Sequence, residues 1–155
     1  MSTTQPLIAL VAQSERQRDL AVADQSKAQH ERDTSAAKAE ELRSYRSEYE
    51  ARWSAQFCRE GQIELVCCYH GFMARLTQAL EHQQRAADAA AARLDQATAC
   101  VRECELQVAA VHKILERRLD ERRGDARRHE QKMDDELAAR MAWQARRAGG
   151  PSNAA

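Results

Sequence analysis

Apolar residues recur at every seventh position between Val66 and Leu115, and this is the clearest pattern in the chain. One series consists of Val66, Met73, Leu80, Ala87, Leu94, Val101, Val108 and Leu115, and a second series, three positions later, consists of Tyr69, Leu76, Gln83, Ala90, Ala97, Cys104 and Val111. These are the a and d positions of a heptad repeat, interrupted by the polar Gln83. The repeat predicts a long helix with one apolar stripe, or seam, which a partner helix must cover.

A weaker series with the same spacing occupies the first third of the chain. Its members are mostly small: Leu7, Ser14, Ala21, Ala28, Ser35, Leu42 and Tyr49. Small seam residues let two helices approach closely but bury little area, so we expect the first helix to depend on its partner. The series ends in a heavier, mainly aromatic cluster, which consists of Leu42, Tyr45, Tyr49, Trp53 and Phe57.

The two series are separated by a short break at Gly61, a residue type that commonly ends a helix. A loop of only a few residues favours antiparallel neighbours. We therefore predict an all-α fold, a two-helix antiparallel coiled-coil hairpin in which the second helix is longer and has a C-terminal overhang. The predicted segments are an N-terminal cap at 1–6, helix one at 7–58, a turn at 59–62, helix two at 63–147 and a disordered tail at 148–155.

The overhang is predicted because helix two extends beyond the position at which helix one ends. Folding back about Gly61 places position 4 near position 118, and the strict heptad series stops at Leu115. The apolar positions then shift by four through Leu119, Ala126 and Met133, a stutter that relaxes a supercoil. Residues 116–147, the overhang, are dense in both charges. They form either a docking surface or a solvated helix with internal ion pairs.

Composition narrows the possible functions. The 24 basic and 24 acidic residues cancel, so no net field favours nucleic acid or anionic lipid. The overhang interleaves its arginines with acids and offers only Trp143 for stacking, which argues further against nucleic acid. No apolar run approaches the length of a membrane span, and the N-terminus does not resemble a signal peptide. We therefore expect a cytoplasmic protein.

Neither a metal site nor an active site is predicted. The five cysteines, for which we expect reduced thiols, are Cys58, Cys67, Cys68, Cys100 and Cys104. Two of them lie one helical turn apart and the others lie near the turn with His70, but neither set has a zinc-ligand spacing, so we predict no metal and no cofactor. There is no glycine-rich phosphate loop and no nucleophile elbow. A two-helix rod offers no enclosed pocket, and we expect no enzyme activity.

Two apolar residues near the turn are candidate contact residues for another protein. Phe72 falls outside both heptad series, whereas Leu76 falls within one. Both residues either pack on the aromatic cluster of helix one or form an apolar patch that another protein binds.

Several motifs follow one another in order along nearly the whole chain. Pro6-Leu7 through Leu10 opens the first helix, and residues 42–49 (LRSYRSEY) have the pattern L..YR.EY. Gly61 stands at the turn, and residues 69–84 (YHGFMARLTQALEHQQ) are similar to the pattern Y..F...L..AI..Q. Glu116-Arg117 and residues 130–140 (EQKMDDELAAR) are similar to the pattern ER…EQK..DE.A.R. In this order, the motifs resemble those of the FliJ family of the bacterial flagellar export apparatus.

The resemblance implies a fold, a mechanism and partners. Members of the family are antiparallel two-helix coiled coils similar to the central γ stalk of the rotary ATPase. It implies that the end with both termini enters a hexameric flagellar export ATPase ring and promotes its assembly. The opposite region would contact the cytoplasmic domain of the membrane export gate and couple export to the proton motive force, and export chaperones would also bind. The implied location is cytoplasmic, peripherally associated with the inner membrane at the export apparatus.

The same resemblance assigns residues on this chain to two partners. It implies an export-gate-binding patch that consists of Phe72, Leu76, Ala79 and Gln83. It implies ATPase-facing residues that consist of Leu7, Leu10, Glu130, Gln131, Lys132, Asp135 and Glu136.

Two alternatives remain open at this point. The equivalent stalk of a virulence injectisome, in the YscO-like family, shares the hairpin and the ATPase role. An unrelated scaffold that dimerises through its seam is a third possibility. The scaffold predicts a stable dimer, whereas a stalk is largely a monomer in isolation.

Overall fold

The computed structural model of the chain describes residues 4–59 and 63–150. Two α-helices account for its regular structure, α1 over Thr4–Phe57 with 54 residues and α2 over Ile63–Ala148 with 86 residues. The helices pack against each other, and the described residues contain no strand. The predicted all-α hairpin with a longer second helix is confirmed.

The helix ends follow the turn-forming residues of the sequence. α1 begins at Thr4, three residues before the predicted start. Pro6 is compatible with this earlier start, because in the first turn of a helix its missing N–H removes no helical hydrogen bond. α2 is followed by Gly149, whose N–H donates to the carbonyl oxygen of Ala145 at 3.0 Å. The predicted turn residue Gly61 and the tail from position 151 lie outside the described residues.

The chain divides into two compact units. The hairpin unit comprises Gln13–Val108, and the terminal unit comprises Met1–Ala12 together with Ala109–Ala155. The hairpin unit thus holds the predicted gate patch, and the terminal unit holds the predicted ATPase-facing residues.

In the hairpin unit, the contacts between the helices run antiparallel. The ring of Tyr49 lies 5.0 Å from that of Phe72, between ring centroids, near the end of α1. Farther from that end, the side chain of Gln83 reaches the backbone of Ser35. Farther still, the Gln25 amide donates to the Thr98 hydroxyl at 3.2 Å. Every a and d position predicted on α2 is buried or half-buried, so the heptad assignment is confirmed.

The covered face of α1 contains a second heptad series that the apolar pattern did not reveal. In the hairpin unit this series, buried or half-buried throughout, consists of Arg18, Gln25, Arg32, Ala39, Arg46 and Trp53. Arginine can cover apolar surface with its methylene stem while its guanidinium stays near water. In Arg32, for example, the Nε lies 3.0 Å from the carboxylate of Asp33 on the same helix, and the side chain as a whole is 39% exposed.

Small residues mark the places where the seam is most closely packed. Ala39 is 2% exposed and Ala90 is 0% exposed, and Ser14, Ala21 and Ala87 are also buried. Among the described residues, no large side chain is buried as completely. The seam therefore has little room for additional side-chain atoms.

In the terminal unit, the residues of α2 all become exposed well before the helix ends. Val11 is buried, and Leu7, Leu115 and Leu119 are half-buried. From 125 to 148 every residue of α2 is exposed, in agreement with the predicted overhang. The helix runs through Gly124 without a break. No described helix meets the length and hydropathy of a membrane-spanning segment.

Candidate functional site

Aromatic side chains of α1 and α2 pack against each other at one end of the hairpin unit. The Tyr69 ring on α2 lies 5.4 Å from Trp53 and 5.3 Å from Phe57, between centroids. A second set of contacts runs from Tyr45 to Tyr49 at 5.1 Å and from Tyr49 to Phe72 at 5.0 Å. Each such pair contributes about 0.5–1.5 kcal/mol beyond its buried area.

Phe72 and Leu76 take part in this packing and also face an open groove. Phe72 contacts the Tyr49 ring yet remains 38% exposed, and Leu76 is half-buried. The groove has a volume of about 530 Å³. It is lined by Lys38, Glu41, Leu42, Tyr45, Phe72 and Leu76. The two interpretations of Phe72 are therefore compatible, because one side of the ring packs on α1 and the other is accessible.

The remaining residues of the implied gate patch differ in environment. Ala79 is exposed and lies on the same face of α2 as Phe72, two turns along. Gln83 is half-buried, and its side-chain N–H donates to the backbone carbonyl oxygen of Ser35 at 3.2 Å. The Gln83 amide is thus already used in holding α1 against α2, whereas the Ala79 side chain is accessible.

The implied ATPase-facing residues all lie in the terminal unit. Leu10 is 43% exposed, and Leu7 is half-buried. The other five are exposed members of α2: Glu130, Gln131, Lys132, Asp135 and Glu136. An apolar line accompanies them, with Met133 at 55%, Leu137 at 58% and Met141 at 63% exposure. A helix with this much uncovered apolar surface fits contact with a partner better than solvation alone.

Ion pairs divide the overhang into two parts. In its first part, acids and arginines pair along the helix, as in Arg123 with Asp120 at 3.2 Å and Arg118 with Glu121 at 3.5 Å. Arg128 likewise pairs with Asp125. Between residues 130 and 136, no charged side chain forms an ion pair within the described part of the chain. The first part matches the solvated-helix interpretation, whereas the second has charges available to a partner.

The cysteines are all free thiols. Cys104 is half-buried in the seam, and this burial raises the pKa of its thiol, with a smaller contribution from the neighbouring Cys100. Exposed Cys58, Cys67 and Cys68 lie in the hairpin unit. Among the residues described, no three His, Cys, Asp or Glu side chains gather closely enough to hold a metal ion.

The α1 side of the groove was not predicted as part of a site. The sequence pattern places Leu42 and Tyr45 in the aromatic cluster and predicts no role for Lys38 and Glu41. The signal was nevertheless present, since folding back about Gly61 places residues 38–45 of α1 opposite residues 77–84 of α2, next to Phe72 and Leu76.

Comparison with known proteins identifies the family. Residues 3–147 match the family model described as flagellar FliJ protein, which covers nearly the whole chain. No curated protein and no solved structure matched the chain. The family match agrees with the confirmed hairpin and with the motifs at both ends of the seam, and it favours the flagellar system over an injectisome or an unrelated scaffold. The chain belongs to the flagellar FliJ protein family and is a coiled-coil protein of the flagellar type III export apparatus.

Proposed function

We propose that the chain is a stalk of the export apparatus, which promotes assembly of the hexameric export ATPase ring and couples it to the membrane export gate. The observation that carries the proposal is the last part of α2. There, residues 125–148 are exposed, and the charges between 130 and 136 have no ion-pair partner among the described residues. Unpaired charges beside an apolar line are suited to specific docking.

The gate contact is assigned to the other unit. Phe72, Leu76 and Ala79 supply accessible apolar surface there, and Gln83 positions α1 beside it. The proposal includes binding to export chaperones, a cytoplasmic location at the inner membrane and a largely monomeric state in isolation. It includes no catalytic activity, no cofactor and no nucleic-acid binding.

Docking on the ATPase is tested by charge reversal with a matched control. Asp135→Lys with Glu136→Lys should weaken binding to the purified ATPase ring, measured by a pull-down and by the ring's sedimentation profile. Glu103→Lys with Glu105→Lys makes the same change in net charge on exposed positions of the hairpin unit and should leave binding unchanged. Truncation after Arg123 should impair ring binding. Wild-type binding by the truncated chain would reject the docking assignment.

The gate contact is tested separately. Phe72→Ala with Leu76→Ala should weaken binding to the cytoplasmic domain of the gate while ring binding and helicity stay near wild type. Collapse of helicity in this double variant would show that the two side chains serve mainly to hold the hairpin together.

The cellular role is tested by in-frame deletion and restoration of the gene in trans. Loss of swimming and of filaments, regained on complementation, is expected. Normal swimming of the deletion strain would contradict the proposal, and an effector-secretion assay would then test the injectisome alternative.

A further inference from the structure

A surface depression on the exposed last part of α2 has the residue spacing of a coiled-coil packing site. Its volume is about 180 Å³, and its lining consists of Met133, Asp134, Glu136, Leu137 and Arg140. All of these except Asp134 follow the spacing i, i+3, i+4, i+7, so they are neighbours on one helical face. In a coiled coil, four residues in this arrangement form the hole that accepts one side chain, the knob, from a facing helix. The chain itself does not cover this hole, since every residue of α2 from 125 to 148 is exposed.

Leu137 belongs to the hole and is also the central apolar side chain of the same face. It is 58% exposed, and Met133 and Met141, one turn to either side, are 55% and 63% exposed. If two copies of this face meet antiparallel, Leu137 of each copy lies over the hole of the other, and one contact fills both holes. A face that carries its knob and its hole at the same position is self-complementary, as a two-fold dimer requires.

The charges before and after Leu137 have opposite signs. Residues 130–136 contain four acids and one lysine, whereas residues 137–148 contain three arginines and no acid. None of these charged side chains forms an ion pair within the described part of the chain. Two parallel copies would place acids against acids, but two antiparallel copies centred on Leu137 place Glu136 of each beside Arg140 of the other. Charge complementarity therefore favours the antiparallel pair.

We propose that the chain associates with a second copy of itself through residues 130–143, as an antiparallel pair of helices. Leu137 fills the hole of the second copy, and Glu136 pairs with Arg140 of the second copy. The seam of the hairpin takes no part, which distinguishes this pair from a scaffold that dimerises through its seam. The contact extends over only about 21 Å of helix. It is therefore smaller than the standard interface of about 1,600 Å², and the chain is largely a monomer at low concentration.

Self-association covers part of the surface that the proposed function assigns to the export ATPase. Glu130 and Glu136 both lie within the contact, so a chain paired with a second copy cannot dock on the ring through them at the same time. The second copy and the ring therefore compete for the last part of α2. This competition rests on the proposed function, whereas the self-association does not.

Self-association is measured by sedimentation equilibrium of the full-length chain at concentrations up to about 1 mM, the scale of weak complexes. The average mass should rise from that of a monomer towards that of a dimer. Leu137→Ala should weaken the association at least about tenfold, because it removes the central knob. The matched control is Leu106→Ala in the hairpin unit, where the leucine is 72% exposed and the same substitution should leave the association unchanged.

Charge exchange tests the antiparallel arrangement. Glu136→Arg and Arg140→Glu each place like charges together, so each variant alone should associate at least about tenfold more weakly than wild type. A mixture of the two variants should associate again, because one then has a basic face and the other an acidic face. Both positions are exposed, so a change in fold would not produce this rescue.

Three results would overturn the proposal. The first is a monomer at every concentration, which would leave the hole to the ATPase ring. The second is association that Leu137→Ala and both charge variants leave unchanged, which would assign it to another surface. The third is a mixture of the two charge variants that stays monomeric.

Failure of this inference and failure of the proposed function have different signatures. If Asp135→Lys with Glu136→Lys loses ring binding while the wild-type chain stays monomeric, ATPase docking stands and self-association fails. If the copies associate as described while truncation after Arg123 leaves ring binding unchanged, self-association stands and the docking assignment fails.

Discussion

Replacing Ala90 by leucine tests how closely the two helices pack. In an ordinary coiled coil, a larger apolar residue at a d position buries more area and stabilises the structure. Ala90, however, is 0% exposed and belongs to a part of the seam built from small residues. The direction of the stability change therefore distinguishes a tight seam from a loose one.

The stabilisation from burying the added carbon atoms and the cost of overpacking are similar in magnitude. The sign of the change in the free energy of unfolding therefore shows which of them dominates. Leucine adds three carbon atoms, which would contribute about 2.4 kcal/mol if the helices separated enough to bury them without strain. Forcing the same atoms into a filled seam costs about 1–3 kcal/mol. Because Ala90 has no exposed surface, we expect Ala90→Leu to lower the free energy of unfolding by about 2 kcal/mol.

The assay is urea unfolding followed by far-ultraviolet circular dichroism, with Ala89→Leu as the matched control. Ala89 is the preceding residue of the same helix and is exposed, so the same substitution there should change the free energy of unfolding by less than about 0.5 kcal/mol. An unchanged denaturant slope would show that the variants unfold like wild type. A higher midpoint for Ala90→Leu than for wild type would refute the close-packed seam.

Three further predictions address single features. Gln83→Ala should destabilise the hairpin by about 1 kcal/mol in urea unfolding, because a hydrogen bond to the backbone of α1 is lost, whereas the exposed Gln78→Ala should have no effect. Gly124→Ala should stabilise α2 locally by about 1 kcal/mol and slow amide exchange in the adjacent turns, since the added methyl group meets an arginine side chain only at 3.9 Å; faster exchange would contradict this. Because burial raises the pKa of Cys104, its thiolate fraction near pH ~8 is reduced, and iodoacetamide should modify it more slowly than the exposed Cys100, as followed by mass spectrometry. Equal rates would contradict that expectation.

Periodicity predicted the fold because the seam of α2 is apolar at almost every heptad position. It did not predict the second seam series of α1, since Arg18, Arg32 and Arg46 look like surface residues in a hydropathy pattern. Their long stems allow them to occupy covered positions, and only the partner helix shows which arginines do so.

The sequence predicts only some residues of the candidate site. The family motifs identify Phe72 and Leu76, and the hairpin places them opposite α1. The groove itself depends on how Tyr45 and Tyr49 stack, which spacing along one helix does not determine. For Gln83 the family motif implies a role in binding a partner. In the structure, however, its side-chain amide donates to the backbone carbonyl of Ser35, which the motif does not indicate.

The location of the ring contacts has a consequence for how the chain folds. Trp53 and Tyr69 meet after closure of a loop of roughly 15 residues, whereas the contact between Gln25 and Thr98 spans 73 residues. Closing the longer loop first would cost about 1 kcal/mol more in chain entropy, so we expect the aromatic end to nucleate and pairing to spread away from it. During synthesis, α1 then remains unpaired until Tyr69 has left the ribosome. Between residues 14 and 35 the first seam series of α1 is alanine and serine, so this part of the helix exposes little apolar surface in that interval, which limits aggregation of the nascent chain.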